Sequence, residues 1–284
     1  MKSATLAVLL AAVAAAVAAC GGSSPPAHPA TESAGQKAAL ARRSASRRRR
    51  SHSLRNARPQ PDWRPYAGQG VPILVYHELG TPPPSEPYPG LYVSDADFKA
   101  EMAWLHSAGY QAITLDEMMN AFFHHGTIPA KPIVITFDNG YIPQATFAPA
   151  VMSKYGWPGV LNEITVGHLS NARLERLVRI GWEIDSHSLT HPDLTEVSPS
   201  DLQAQVVQSR RFLEHTLHVP VNSFCYPSND YDAAVIAAVQ AAGYTNAVTE
   251  NPGFATPQTN PFLLPRFEIE GGLSELQADL SSGT

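Results

Sequence analysis

The sequence predicts an α/β fold arranged as one barrel-like domain, and three observations lead there. From Val71 onward, short apolar runs alternate with helix-like segments, the pattern of a parallel sheet with helical crossovers. The run Ile133-Val134-Ile135-Thr136-Phe137 is apolar without a two-residue alternation, as in a strand buried on both faces. Four of the apolar runs end on polar or titratable residues, and in α/β barrels that end of the strand is where catalytic groups collect.

The first sixty or so residues stand apart from this pattern. Residues 1–20 read as a secretory signal, with Lys2, an Ala/Val/Leu core and small residues before Cys20. The core is shorter than the ~20 residues of a comfortable membrane span. Val17-Ala18-Ala19-Cys20 resembles a bacterial lipobox, which would make Cys20 a lipid-bearing membrane anchor; an ordinary cleaved signal is the alternative. Only one other cysteine, Cys225, is present, so a lipidated Cys20 leaves it unpaired. Residues 21–65 are rich in Gly, Ser, Pro, Ala and Arg and read as a disordered tether. Ten basic residues and one acidic residue lie through Arg58, against ten basic and twenty-four acidic after it, so net charges of +9 and −14 sit behind the overall −5. The basic tether suits an anionic surface or serves as a solvated spacer. The acidic remainder, 66–284, argues against a nucleic-acid partner.

Within the domain, Val71–Tyr76 is expected to be a strand ending at His77, followed by a proline-rich loop carrying Tyr88 and Tyr92. Ser94 caps a helix bearing Phe98, Met102 and Leu105 on one face. A second helix follows over Leu115–Phe123, then a strand over Ile133–Asp138. Helices are expected over 143–154 and 171–180, with strands over 160–166 and 182–186, the latter ending at His187. Ser198-Pro199 opens a long helix to Leu217. Strands over 223–226 and 246–249 flank a helix over 230–242, and an extended segment over 263–269 precedes a last helix over 274–280.

The strand ends carry the chemistry. Asp138-Asn139-Gly140 puts a carboxylate and a carboxamide after a buried strand, although those residues also favour plain turns. His187 and His191 stand four apart, a spacing that can meet one metal ion if the backbone between them makes a single turn. Cys225-Tyr226-Pro227-Ser228-Asn229 and His77 close two further strands.

These residues together resemble the polysaccharide deacetylases, the NodB-homology carbohydrate esterases of family 4. Thr136-Phe137-Asp138-Asn139-Gly140 stands where the family has TFDDG, and His187 to His191 matches its H-[ST]-x-x-H. PILVYH, EIDSHSLTHPDL, FCYPSND and LPRFEI look most like the poly-N-acetylglucosamine branch. The resemblance implies a distorted (β/α) barrel of the NodB-homology type and a hydrolase removing N-acetyl groups from a surface polysaccharide or peptidoglycan. It assigns Asp138 as catalytic base, His77 as general acid and the Ser228 backbone amide as oxyanion donor. It assigns Asn139, His187 and His191 to a divalent metal, zinc first, with cobalt, nickel or iron also suited. Three departures are visible. Asn139 replaces a carboxylate, Cys225 stands where many relatives carry an arginine, and Ser228-Asn229 replaces an aromatic-glycine pair. Arg266 is a candidate for the missing positive charge. A glycan-binding protein without turnover and an O-acetyl esterase are the competing readings.

Overall fold

The structure, a computed structural model, describes residues 62–167 and 169–281. Cys20, the signal segment and most of the tether lie outside the described residues. The described strands include Arg64 and Pro65, just before the expected domain start at 66. Strand β1 (Arg64–Pro65) pairs antiparallel with β6 (Thr127–Ile128), and Trp63 packs on the apolar interior.

The main sheet is parallel over most of its width. Its order is β11 (Asn246–Val248), β10 (Ser223–Cys225), β9 (Glu183–Ser186), β8 (Val160–Glu163), β7 (Pro132–Asn139), β2 (Val71–Tyr76) and β12 (Phe254–Ala255). Off this path, β5 (Gln111–Ile113) pairs with β7 and β13 (Phe267–Glu268) with β2; β3 (Glu78–Leu79) and β4 (Tyr92–Val93) form a small separate pair. The segment from Leu264 to Glu268 bridges the two sides. Leu264 meets Val248 of β11, and Phe267 lies beside Leu74 of β2. The sheet therefore curls into a distorted barrel, as expected.

Helices α1 (Asp95–Ser107), α2 (Leu115–Phe123), α3 (Ile142–Met152), α4 (Asn171–Arg179), α5 (Pro199–Leu217), α6 (Ala233–Ala241) and α7 (Leu273–Ser281) provide the crossovers and a final brace. Their starts follow from the sequence. Ser94 and Ser198 each accept from the N–H three residues on, and Thr114 with Glu117 makes a capping box. Strand alternation sorts the sheet into two faces. Leu74, Ile135, Leu161, Ile184 and Phe224 pack outward against helices, while Ile73, Val134, Val160, Cys225 and Val248 fill the barrel. Strand β8 stops at Glu163, short of the expected 166, because the Glu163 carboxylate accepts from the Leu169 N–H (2.7 Å) and the chain turns there. Helix α6 begins at 233 and not 230, because Asp232 is its cap.

Candidate active site

Asp138 is the centre of the barrel mouth and is fully buried. Four donors hold its carboxylate. Arg266 binds it bidentately through Nη1 to Oδ1 (2.9 Å) and Nη2 to Oδ2 (2.7 Å), Asn162 Nδ2 donates to Oδ1 (2.7 Å), and the Cys225 thiol donates to Oδ2 (3.2 Å). Burial alone would raise the Asp138 pKa, but the Arg266 guanidinium overrides it and holds the carboxyl well below the usual carboxylate range. Arg266 is itself fully buried and also donates to Thr249 O (2.8 Å) and Thr136 Oγ1 (3.0 Å). Its Nη2 lies 3.2 Å from Cys225 Sγ. The arginine absent at position 225 is thus replaced in space by one from the residue just before the last strand, β13.

His77 follows β2 directly and lies beside Asp138 and Glu250, their polar atoms within 4.8 Å of one another. Its Nε2 is 3.7 Å from Glu250 and its Nδ1 3.7 Å from Glu268. Burial lowers the His77 pKa, with Arg266 acting in the same direction and Asp138 and Glu268 opposing. Glu250 is pushed up to about 7 by burial against the pull of Arg266. His77 and Glu250, two groups able to carry a proton, therefore stand beside a carboxylate that stays ionised.

Asn139 takes a left-handed backbone (φ 83°) at the end of β7, a conformation that asparagine tolerates better than most residues. Its buried Oδ1 has no hydrogen-bond partner in the protein. His187 Nδ1 is 3.0 Å from the Cys225 carbonyl, so that nitrogen carries the proton and Nε2 keeps its lone pair. Burial pushes His187 down to about 3 and also lowers His191, so both rings are neutral at pH 7. The rings sit edge to face with centroids 4.6 Å apart, after a turn in which Ser188 and His191 are both left-handed and the His191 N–H donates to Ser188 Oγ (2.9 Å). An orphaned amide oxygen and two neutral imidazoles are a donor set that fits a divalent ion. The cluster of Asp138, His187 and Cys225, with ligand atoms within 4.8 Å of one another, does not. There the carboxylate is already held by Arg266, and burial keeps the thiol protonated.

Ser228 sits on the short turn after β10 with a left-handed backbone (φ 51°), as does Asn229 (φ 59°). Tyr92 is half-buried at the loop edge, its hydroxyl on Glu86 (3.2 Å), and Tyr88 is exposed.

Two positioning residues carried no sequence motif. Gln144, fully buried on α3, donates to the carbonyls of His77 (2.5 Å) and Asp138 (2.6 Å) and accepts from the N–H groups of Gly140 (3.1 Å) and Tyr141 (2.9 Å). It ties the β2 end to the β7 end. Asn162 is the other, and only its register opposite Asp138 on β8 could have singled it out.

The polysaccharide deacetylase profile matches residues 125–247. The polysaccharide deacetylase homologue YxkH of Bacillus subtilis is 28% identical over 209 residues, 72% of this chain and 73% of that protein. The poly-beta-1,6-N-acetyl-D-glucosamine N-deacetylase of Staphylococcus epidermidis is 22% identical over 206 residues, 64% of this chain and 70% of the relative. Among solved structures, the Streptococcus pyogenes deacetylase PplD shares the fold with a TM-score of 0.70 and 24% identity, over 76% of this chain and 99% of that one. The TFDNG strand end, the His187/His191 turn and the matched profile agree: residues 125–247 of this chain carry a polysaccharide deacetylase domain.

Proposed function

We propose that the protein is a metal-dependent deacetylase that removes N-acetyl groups from an N-acetylglucosamine-containing polysaccharide of the cell surface or wall. The observation that carries this reading is the joint placement of a pinned, ionised Asp138, the His77–Glu250 pair and the neutral His187–His191 pair around one barrel mouth. The relative from Staphylococcus epidermidis supports the sugar assignment.

A divalent ion on Asn139, His187 and His191 would polarise the acetyl carbonyl. Asp138 accepts the proton of the attacking water, and for that the Cys225 thiol, its weakest donor, has to yield its place on Oδ2. Arg266 and Asn162 hold the carboxylate in position while it does so. The Ser228 N–H serves the oxyanion, and His77 gives a proton to the departing amine, with Glu250 within reach to restore it. Upstream, we propose that a lipidated Cys20 anchors the protein in the cell envelope.

The second reading, a glycan-binding protein without turnover, is favoured by the four hydrogen bonds on Asp138 and by the uncharged Asn139. Acetate release from N-acetylglucosamine oligomers, with zinc, cobalt or nickel supplied in excess, separates the two. Turnover abolished by Asp138→Asn, together with tighter metal retention in Asn139→Asp, is the expected result. If the native protein is inert with every metal while Asn139→Asp turns over, the binding reading replaces this one.

A further inference from the structure

The turn after β10 departs from the deacetylase pattern at two neighbouring positions, Ser228 and Asn229. Both residues are left-handed, with φ 51° and 59°. Glycine meets that conformation without strain, and asparagine is among the few other residues that visit it readily. An asparagine at 229 therefore keeps the turn and adds an amide to it.

Both ends of that amide are used. Asn229 Oδ1 accepts from the Glu250 N–H (2.9 Å), and Asn229 Nδ2 donates to Asn251 Oδ1 (3.3 Å). Asn251 Nδ2 in turn donates to the Tyr231 hydroxyl (2.7 Å). The backbone donor at Glu250 sets the direction of this chain, since a flipped Asn229 amide would turn its NH2 group against that N–H. Strand β11 ends at Val248, so the Glu250 N–H lies past the end of the strand and takes this side chain as its acceptor.

The two anchors lead to the rest of the site. Glu250 carries the carboxylate that faces His77 Nε2 (3.7 Å) and Arg266 Nη2 (4.0 Å). The Asn251 carbonyl accepts from the Arg266 N–H (2.9 Å), and the Arg266 guanidinium holds Asp138. Asn229 thus adjoins Ser228 in the chain, bonds Glu250 directly, and reaches through Asn251 to the segment that fixes the base.

We propose that Asn229 is a positioning residue that locks the turn bearing the Ser228 N–H to the segment bearing Glu250, so that the oxyanion donor and the proton-restoring carboxylate keep one fixed separation. The inference rests on the deacetylase reading, which gives Ser228 and Glu250 those roles. Asn229 itself exchanges no proton and acts only through its neighbours. A glycine in its place would keep the turn but release the two segments from each other, and a misplacement of about 1 Å can cost on the order of 10²-fold in rate.

Asn229→Gly tests the lock, because glycine suits the left-handed backbone and removes only the amide. Its kcat on N-acetylglucosamine oligomers should fall about 10- to 10²-fold while KM stays within about two-fold of the native value. Asn229→Asp keeps an acceptor for the Glu250 N–H, and Asn251 can turn its own amide to serve the new carboxylate, so this variant should recover most of the loss. Hydrogen exchange followed by NMR should show the Glu250 N–H exchanging faster in Asn229→Gly and returning toward the native rate in Asn229→Asp. Native kcat in Asn229→Gly would overturn the proposal, and so would a raised KM with kcat intact, which would mark Asn229 as a substrate contact. If the native protein releases no acetate with any metal, the deacetylase reading fails first. Exchange at Glu250 then decides the lock alone, and an unchanged rate in Asn229→Gly would remove it.

Discussion

Arg266→Met removes the cation from a fully buried ion pair while keeping most of the side-chain volume. Asp138 then stays buried with only the Asn162 amide and the Cys225 thiol as donors. Breaking a buried pair by removing one partner costs about 3–5 kcal/mol. For a domain of this size that is a fall in Tm of roughly 6–20 °C. Part of the loss, from the bonds to Thr249 and Thr136, is independent of pH. The ionic part is not. In the native protein the Asp138 pKa is depressed, so the pair's contribution is complete above the unfolded value of about 3.9 and fades only as pH falls through the lower folded value. In the variant, burial without the guanidinium raises that pKa, and folding then favours the protonated acid. The gap between the two proteins should therefore be widest at pH 7–8 and narrow toward pH 5, as followed by scanning calorimetry. Asp138→Asn combined with Arg266→Met should recover much of the loss. A variant as stable as the native chain at pH 7, or a gap that does not change with pH, would refute the reasoning.

Three further outcomes are expected. Glu163 is pushed up to about 8 by burial, so it favours folding fully below its unfolded value of 4.5 and loses that contribution as pH rises through 8. Glu163→Gln keeps the acceptor for Leu169 and should flatten the fall in Tm between pH 6 and pH 9. Gly140 has φ +86°, and a Cβ there would lie 2.3 Å from Glu163 Oε2; Gly140→Ala should cost about 1–3 kcal/mol, read in denaturant titrations, with partial recovery when Glu163→Ala is added. His77→Ala should lower kcat about 10²–10⁴-fold on an acetamide and less on an ester with a good leaving group, whereas equal losses on both would mark His77 as structural.

The fold was legible where a strand is long and buried on both faces. VPILVY and IVITFD cannot be read as amphipathic helices, and the observed strands lie within a residue or two of the expected ones. The three-residue β5 and the two-residue β3, β4, β6 and β12 are too short to show periodicity and were not anticipated. Of the expected extended segment 263–269, only Phe267–Glu268 pairs as a strand, with Pro265 just upstream unable to supply a ladder N–H. The site was legible in its motifs and not in its supports. Asp138, His187 and His191 stand in recognisable local strings. Arg266 lies 128 positions from Asp138, and LPRFEI has no local feature that declares a buried cation. It was a candidate only because Cys225 stood where an arginine was missing. Gln144 and Asn162 act through helix and strand register, which no local composition reveals.

The tie between Asp138 and Arg266 also has a consequence in time. A growing chain exposes residues 136–140 and 187–191 long before residue 266 is made, and the strand that delivers the arginine pairs with the first long strand of the sheet. Contacts of such sequence separation form late. Until they do, the carboxylate has neither its counter-charge nor its fixed orientation. Completion of the chain is thereby the step that fixes and neutralises the buried Asp138 carboxylate.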